Sequence, residues 1–351
     1  MREVAIVSFA QAPNVRSEAE HNEVEMLIPV LADAIAGSGL AKSDIGFWCH
    51  GSSDYIAGQA FSFVGAVDAL GAWPPLAESH VEMDGAWALY EAWVKIQCGE
   101  VDSALVFGIG RASMGTISET LNLQLDPYTL GPLGLDSISL AALQASAMLD
   151  GGKITEREMA GIAAENRRRG KRNPNAQVTG DFTVENLLAE PYLTRPLRKH
   201  DCPPITDGTS VVVIASGDAI GRGKAKPVYI RGLDHRLDLH QLGSRDLTVS
   251  PSTKLAGEKA GVHDGPVEFA ELHAPFSHQE KILREALGLG GEVSINPSGG
   301  ALCANPMMTA GLTRIGEAAG YIAAGHASRG IAHATSGPCL QQNLVCVLEA
   351  E

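Results

Sequence analysis

Asn296-Pro297-Ser298-Gly299-Gly300-Ala301-Leu302-Cys303-Ala304-Asn305-Pro306 is the stretch that decides the fold of this 351-residue chain. Paired glycines between two prolines are typical of a loop. Apolar residues at helical spacing predict a helix before this loop, at 278–287, and another after it, at 310–325. A short apolar run at 269–272 predicts a buried strand ahead of the first helix. The loop therefore connects the elements of a mixed α/β unit.

Strands and helices alternate along both halves of the chain. In the first half, apolar runs predict strands at 4–9, 45–50, 104–108 and 209–215, and helices at 24–37 and 85–97. The second half adds strands at 228–230, 331–335 and 343–348 and a helix at 255–260. Residue identity between the halves is slight, so we expect a repeat in the order of elements.

The repeat predicts two domains. The N-terminal half takes residues 1–220 and the C-terminal half takes 226–351, with a glycine- and lysine-rich linker at 221–226. Residues from about 111 to 201 depart from the alternation, and they predict a helical insertion over one face of the first half.

The net charge of −14 excludes several classes of partner. Asp and Glu are dispersed along the chain, which argues against binding nucleic acid or an anionic membrane. Asp, Glu, Gly or Pro interrupts every apolar stretch before the roughly 20 residues that span a bilayer. The N-terminus lacks the apolar core of a secretory signal, so we expect a cytoplasmic protein.

The cysteines predict neither a disulfide framework nor a metal site. They lack CxxC pairing and zinc-ligand spacing, so reduced thiols packed in the core are expected. The six residues are Cys49, Cys98, Cys202, Cys303, Cys339 and Cys346.

Three segments together resemble a known family. They are PITDGTS at 204–210, ELHAPF at 271–276 and NPSGGALCANP at 296–306. Their order and spacing resemble the thiolase superfamily, most closely the thiolase-like proteins labelled nonspecific lipid-transfer proteins beside sterol-carrier-protein thiolases. The resemblance covers essentially the whole chain. It implies an α/β thiolase fold, in which two repeated mixed-sheet βαβαβ halves form an α/β/α/β/α arrangement with a helical loop insertion in the first half.

The chain departs from the family at its reactive positions. Asp84 stands at the head of the predicted helix where thiolases have their nucleophilic cysteine. Family members also have a Gly-His-Pro corner, which is Ala304-Asn305-Pro306 here, so Asn305 replaces the oxyanion-binding histidine. The family motif His-Asp-Cys-Phe appears at 273–276 as His-Ala-Pro-Phe, which keeps His273 and loses the cysteine. The second family cysteine, in a Cys-x-Gly motif, is also absent from the matching region at 334–343.

A carboxylate at position 84 excludes the usual thiolase chemistry. Aspartate would form a high-energy mixed anhydride with an acyl group, and the helix dipole weakens its nucleophilicity further. The pattern resembles the thiolase-fold aldolases of steroid side-chain degradation. That resemblance implies retro-aldol cleavage of a β-hydroxyacyl-CoA, a sterol side-chain thioester, to acetyl-CoA or propionyl-CoA plus a ketone or aldehyde. Coenzyme A is part of the substrate, and no separate cofactor or metal is expected.

Four residues are the candidates for catalysis. His273 is the expected general acid or base at the β-oxygen, although a buried histidine bonded to the backbone is the alternative. Asn305 can donate to the thioester oxygen or simply form a turn. Asp84 can cap its helix, orient a histidine or bind the substrate hydroxyl. His278 lies in a Ser-x-x-Glu pattern that favours a capping box with Ser277 as the cap.

Five further residues are expected at the substrate site. The two serines correspond loosely to the part of thiolases that holds pantetheine, and a lone histidine at a strand end has a structural alternative. The five are His50, Ser250, Ser252, Gly299 and Gly300. The basic run at 167–172 is either a patch for the CoA phosphates or a solvated helix face.

Two other functions stay open at this point. A noncatalytic subunit could bind acyl-CoA or support an active paralogue. A thiolase with a relocated nucleophile would use Cys303 or Cys339, although neither lies at a helix N-terminus that would activate it. The resemblance further implies a homodimer through the sheet of the first half or a heterodimer with a thiolase-like paralogue, and a small OB-fold partner.

Overall fold

The structure, a computed structural model, describes residues 2–351, and within them it has twelve strands and eleven α-helices. The strands are β1 Val4–Gln11, β2 Phe47–Gly51, β3 Glu78–Val81, β4 Ser103–Arg111, β5 Tyr192–Thr194, β6 Leu197–Arg198, β7 Asp207–Ser216, β8 Val228–Leu237, β9 Phe269–Glu271, β10 Ser294–Ile295, β11 Arg329–Ser336 and β12 Gln342–Glu349. The helices are α1 Glu23–Ser38, α2 Asp54–Ala57, α3 Phe63–Leu70, α4 Gly85–Gln97, α5 Ile117–Leu123, α6 Ser137–Asp150, α7 Glu156–Gly170, α8 Val184–Leu188, α9 Pro251–Ala260, α10 Ser277–Ala286 and α11 Ala310–Ala323.

Ten strands form one mixed sheet in the order β10-β9-β11-β12-β8-β1-β7-β4-β2-β3. The two sides of the sheet have the same strand arrangement when read outward from its centre. One side reads β1-β7-β4-β2-β3, and the other reads β8-β12-β11-β9-β10. The directions match as well: β1–β7 and β8–β12 are antiparallel, whereas β2–β4 and β9–β11 are parallel. Ala5 pairs with Tyr229 and Ile6 pairs with Val228 where the two halves meet. The predicted repeat of element order is therefore a repeat of sheet topology.

Helices α4 and α11 pack on each other between the two halves of the sheet. Alternation along the strands produces this arrangement, because successive side chains point to opposite faces. In β4, Ala104 and Val106 join the central core around α4 and α11. Leu105 and Phe107 face the outer core around α1 and α3. Helices α9 and α10 cover the outer face of the second half. The layers are thus α/β/α/β/α, as predicted.

The segment between β4 and β7 contains α5 to α8 and the β5–β6 hairpin. Small and flexible side chains of α6 and α7 pack against the second half of the molecule. Ala141, Ala145 and Met148 of α6 join one core with Leu272 and Leu283. The insertion therefore covers the helices of the opposite repeat and closes over the end of the sheet.

Two local predictions are corrected by the structure. Ser277 is the first residue of α10 and does not cap it; Phe276 precedes the helix, and its amide donates to Gln279 Oε1 at 3.2 Å. The Ser277 hydroxyl donates instead to buried Asp201 at 2.6 Å. In addition, β8 continues to Leu237, seven residues beyond the predicted end at 230, since it pairs with β12 along its length.

The longest helix, α1, has 16 residues. No helix within residues 2–351 combines the length and apolar composition that a bilayer crossing requires.

Candidate active site

Asp84 holds the beginnings of two helices. Its Oδ1 accepts from the amides of Ala86 at 2.9 Å and Leu312 at 3.0 Å, and its Oδ2 accepts from the amide of Gly311 at 2.9 Å. The capping of α4 predicted for Asp84 is confirmed, and the same carboxylate also caps α11. Both helix N-termini carry partial positive charge, which stabilises the buried anion. The carboxylate therefore joins the two helix starts through three backbone donors.

Glycines permit the two helix ends to approach each other. A Cβ on Gly311 would lie 2.7 Å from Asp84 Oδ1 and 2.5 Å from Ala334 Cβ. A Cβ on Gly85 would lie 2.9 Å from Leu312. Any larger residue at these positions would separate the helices, so the carboxylate could not reach both.

His273 and Asn305 form a hydrogen-bonded pair beside Asp84. The backbone amide of Thr335 donates to His273 Nδ1 at 3.3 Å, and His273 Nε2 lies 2.9 Å from Asn305 Oδ1. Because a backbone amide can only donate, Nδ1 must be the acceptor, so Nε2 carries the proton and donates to Asn305. Within residues 2–351 the side-chain nitrogen of Asn305 then has no protein acceptor, and it is not among the fully buried polar atoms, so it is accessible from the cavity that Asn305 lines.

Burial sets the charge of this pair. Desolvation lowers the pKa of His273, and the nearby Asp84 carboxylate opposes that shift without reversing it. Since the lowered pKa lies below the ordinary histidine value, the imidazole is neutral at physiological pH. His273 therefore presents one N–H to Asn305, and its lone pair is occupied by Thr335.

The three segments that carry the family resemblance converge at this pair. His273 follows β9, and its amide donates to the His333 carbonyl oxygen at 3.3 Å. The backbone N–H of Asn305 donates to Thr206 Oγ1, of the 204–210 segment, at 3.1 Å. Thr335 lies near the end of β11. The pair is therefore attached to strand ends in both repeats.

Gly299 and Gly300 shape the loop that carries Asn305 and do not line the cavity. Both have left-handed backbone angles, with φ of 99° and 63°. A Cβ on Gly299 would lie 2.7 Å from the Cα of Gly170 and 2.8 Å from the Cys303 sulfur. We expected these glycines to contact substrate, and the structure instead places them where the loop packs too closely for a side chain.

The loop rests on a buried ion pair. Glu271 Oε1 accepts from the Ser298 amide at 2.8 Å, and its Oε2 accepts from the Ser298 hydroxyl at 2.7 Å. Arg314 Nη1 lies 3.1 Å from Glu271 Oε2, and both side chains are buried. This network fixes the loop from beneath, so the position of Asn305 does not depend on a solvent-exposed turn.

A cavity of about 530 Å³ opens above Asp84, His273 and Asn305. That volume lies in the range of about 300–1,000 Å³ that is usual for small-molecule sites. Its walls are mainly apolar and come from the insertion and from the loops at the strand ends. They include Ile117, Leu121, Leu125, Ile138, Leu140, Pro275, Phe276, Met307 and Met308. The site can accept an apolar acyl group whose polar end reaches Asn305.

Sequence reasoning missed His240 and the part played by Thr335. His240 lies in the exposed loop between β8 and α9 and lines the same cavity. It belongs to no motif, and no periodicity marks it. The contribution of Thr335 comes from its backbone amide, which no residue type encodes.

His278 and His50 lie outside this cavity. His278 Nε2 contacts Gln144 Oε1 at 3.2 Å, and burial lowers its pKa to about 3. The ring of His50 stacks on Phe107 with centroids 4.7 Å apart, and burial likewise lowers its pKa to about 3. His50 faces a separate small cavity of about 20 Å³ beside Arg111. The structure therefore does not bring either histidine to the cavity that Asn305 lines.

Ser250 and Ser252 are also engaged elsewhere. The Ser250 hydroxyl caps α9 at the Thr253 amide. The Ser252 hydroxyl donates to Asp238 at 2.6 Å and accepts from Asn343 Nδ2 at 2.7 Å. Both are buried and lie outside the lining of the cavity. Their hydroxyls fix the start of α9, and the structure does not bring them to the cavity predicted to hold substrate.

The basic run at 167–172 is largely paired within the insertion. Arg168 and Arg169 contact Glu165, and Lys171 contacts Asp181. Arg167 is buried, with its guanidinium over the Phe182 ring. These contacts favour the solvated and packed helix face over a phosphate-binding patch.

The cysteines near the site are poor nucleophiles. Cys202 and Cys339 line the cavity, whereas Cys303 lies outside it and donates to the Asn166 carbonyl oxygen. Burial raises the pKa of Cys339 to about 11 and those of Cys202 and Cys303 to about 12. Because the thiolate is the reactive form, these thiols are unreactive at neutral pH.

Alkylation with iodoacetamide at pH 7.5 should modify Cys98 first and leave unchanged the retro-aldol activity expected from the sequence. Cys98 is the one exposed cysteine within residues 2–351, and the raised pKa of Cys339 should delay its reaction until the pH approaches 11. Site-resolved mass spectrometry measures the labelling, and Cys98→Ser is the control that removes the fast phase. Loss of activity that follows labelling of Cys339 would contradict this.

No protein-family model matches the chain. In an alignment 352 positions long, the chain is 24% identical to the acetyl-CoA acetyltransferase of Methanocaldococcus jannaschii, covering 90% of this chain and 89% of that enzyme. A match of 233 residues at 25% identity to the benzoylsuccinyl-CoA thiolase subunit BbsB of Thauera aromatica covers 58% of this chain and 60% of the subunit. These relatives support the resemblance of the chain to the thiolase superfamily. Sterol carrier protein 2 of Gallus gallus is 25% identical over 272 residues, and this match spans only 50% of that relative and 66% of the thiolase-like chain.

Solved structures show which fold the chain has. The Ltp2-ChsH2(DUF35) aldolase matches the thiolase-like chain with a TM-score of 0.81 at 18% identity, over 99% of this chain and 98% of that one. Human mitochondrial 3-ketoacyl-CoA thiolase matches with a TM-score of 0.80 at 16% identity, over 99% of each chain. The predicted α/β thiolase fold is confirmed.

Proposed function

We propose that this thiolase-like protein is a carbon-carbon lyase that cleaves a β-hydroxyacyl-CoA by a retro-aldol reaction. The observation that carries the proposal is the engagement of Asp84 by three backbone amides, beside an Asn305 amide nitrogen that faces the cavity. This arrangement supplies a hydrogen-bond donor for a thioester oxygen, and it lacks an activated thiol. The proposed substrate carries a sterol side chain as its acyl group.

In the proposed reaction, a base removes the proton of the β-hydroxyl group. The β-oxygen then forms a carbonyl, the bond between the α and β carbons breaks, and its electron pair moves into the thioester as an enolate. The Asn305 amide donates to the thioester oxygen as negative charge develops there. Protonation of the α carbon yields a shorter acyl-CoA, acetyl-CoA or propionyl-CoA, and the other product is a ketone or aldehyde.

His273 serves this reaction as a positioning residue. Its Nε2 proton binds Asn305 Oδ1, so the amide nitrogen is the end of the Asn305 side chain that faces the substrate. The general-base role first expected of His273 needs a free lone pair, and the Thr335 amide occupies that lone pair. Holding a donor in place before charge develops is the property that stabilises an oxyanion most efficiently.

Further support comes from the aldolase with the same fold, Ltp2-ChsH2(DUF35). A homodimer or a heterodimer with a thiolase-like paralogue and a small OB-fold partner belong to the same proposal. The exposed aromatic residues Phe61 and Trp73, which are 71% and 85% accessible, offer apolar surface for such contacts.

The proposal is tested by incubating the purified chain with a synthetic β-hydroxyacyl-CoA and no free CoA. We expect a ketone or aldehyde plus a shorter acyl-CoA in equal amounts, measured by liquid chromatography and mass spectrometry. The intact protein mass should stay unchanged during turnover. A requirement for free CoA, or an acyl adduct on a cysteine, would instead indicate a thiolase. Turnover only after an active paralogue is added would indicate a noncatalytic subunit.

A further inference from the structure

We propose that His240 is the base that removes the β-hydroxyl proton, an inference that rests on the proposed retro-aldol function. His240 lies in the loop that follows β8, and it lines the same cavity as Asn305. No motif and no family correspondence identified it; its position in the folded chain does.

The titratable residues of the cavity are few. Within the described part of the chain the lining contains Asp84, Cys202, His240, His273 and Cys339. A base for the β-hydroxyl group must come from this set or from solvent, and it needs a lone pair that is free to accept a proton.

Four of the five are poorly suited to this role. Asp84 accepts three backbone hydrogen bonds, so its oxygens are directed at the starts of α4 and α11. The lone pair of His273 accepts from Thr335. Cys202 and Cys339 are buried thiols whose hydrogens point to the carbonyl oxygens of Arg198 and Leu140, at 3.5 Å and 3.4 Å.

His240 differs from all of them. Its side chain is exposed at the mouth of the cavity, and within residues 2–351 neither ring nitrogen has a protein hydrogen-bond partner. Asp126, in the loop between α5 and α6, is close enough to interact with it electrostatically. A nearby carboxylate stabilises the imidazolium that forms when the ring accepts a proton. The loop between β8 and α9, which carries His240, therefore faces the insertion across the cavity.

The proposed step balances without any additional reactant. The imidazole of His240 takes the β-hydroxyl proton, the α–β bond breaks, and its electron pair forms the enolate that Asn305 stabilises. The imidazolium then returns its proton to the α carbon directly or through solvent, which regenerates the neutral ring. Removing a general base usually lowers the rate by about 10²–10⁴-fold.

The test compares His240→Gln with the wild-type protein on a β-hydroxyacyl-CoA. We expect kcat to fall by about 100-fold or more with KM changed little, and added imidazole to restore kcat in proportion to its concentration. His263→Gln, at an exposed histidine outside the cavity, is the matched control and should behave as wild type.

The outcomes separate the two proposals. Wild-type protein that cleaves no β-hydroxyacyl-CoA would reject the lyase function, and the role of His240 with it. Active wild-type protein together with an unaffected His240→Gln variant would reject only His240 as the base. A loss confined to KM, or a loss of kcat that imidazole does not restore, would likewise overturn the assignment.

Discussion

Replacing Asn305 with alanine should lower kcat/KM for retro-aldol cleavage by about 10²–10³-fold, the usual cost of removing one oxyanion donor. The amide nitrogen of Asn305 faces the cavity because His273 binds the other end of the side chain. Since the charge on the thioester oxygen develops in the transition state, most of the loss should lie in kcat. Steady-state kinetics with the substrate identified in the cleavage assay measures it.

Two companion variants sharpen this experiment. Asn305→Asp keeps the size of the side chain but places a carboxylate beside the developing negative charge, so it should be at least as damaging as alanine. Asn186→Ala removes an exposed asparagine of α8 that does not line the cavity, and it should leave the kinetics unchanged. An Asn305→Ala variant with normal kcat/KM would show that the thioester oxygen is stabilised by another group.

Replacing Asp84 with alanine should destabilise the protein by at least about 3 kcal/mol, because three buried amides lose their acceptor at about 1–3 kcal/mol each. The amides belong to Ala86, Gly311 and Leu312, so both central helices lose their caps at once. Such a loss is a large part of the roughly 5–15 kcal/mol that usually separates a folded protein from its unfolded chain. Urea unfolding followed by circular dichroism measures it.

Asp136 offers the matched control for this change. It caps only α6, through the Ser139 amide at 2.7 Å, and its replacement by alanine should cost about 1 kcal/mol. Asp84→Asn retains one oxygen acceptor and should lose less stability than Asp84→Ala. If Asp84→Ala cost no more than Asp136→Ala, the bonds from Asp84 to α11 would be of no energetic importance.

Local chemistry around Asp84 could be predicted from sequence, whereas its long-range contacts could not. An aspartate directly before Gly85 at the start of an amphipathic run is a reliable helix cap, and it is one here. Gly311 lies 227 residues further along the chain. Its contact with Asp84 depends on the repeat of the sheet topology, which brings α4 and α11 together. No local sequence pattern predicts that contact.

Contacts between residues distant in sequence also explain which predictions failed and which site residues were missed. Ser277 matches the sequence pattern of a capping residue, but its hydroxyl binds the buried carboxylate of Asp201, which is distant in sequence. The orientation of Asn305 depends on the backbone amide of Thr335, acting through His273. His240 comes into the site through the length of β8 and the path of the following loop. In each case the competing partner became visible only in the folded chain.

The interface between the two repeats determines how the protein unfolds. Strands β1 and β8 share the central seam of the sheet, and the core between the halves is built from α4 and α11 together. Neither repeat keeps a closed interior without the other, so folding is expected to be one cooperative event. Protease cleavage of the link between them should consequently leave two fragments bound to each other as a noncovalent pair.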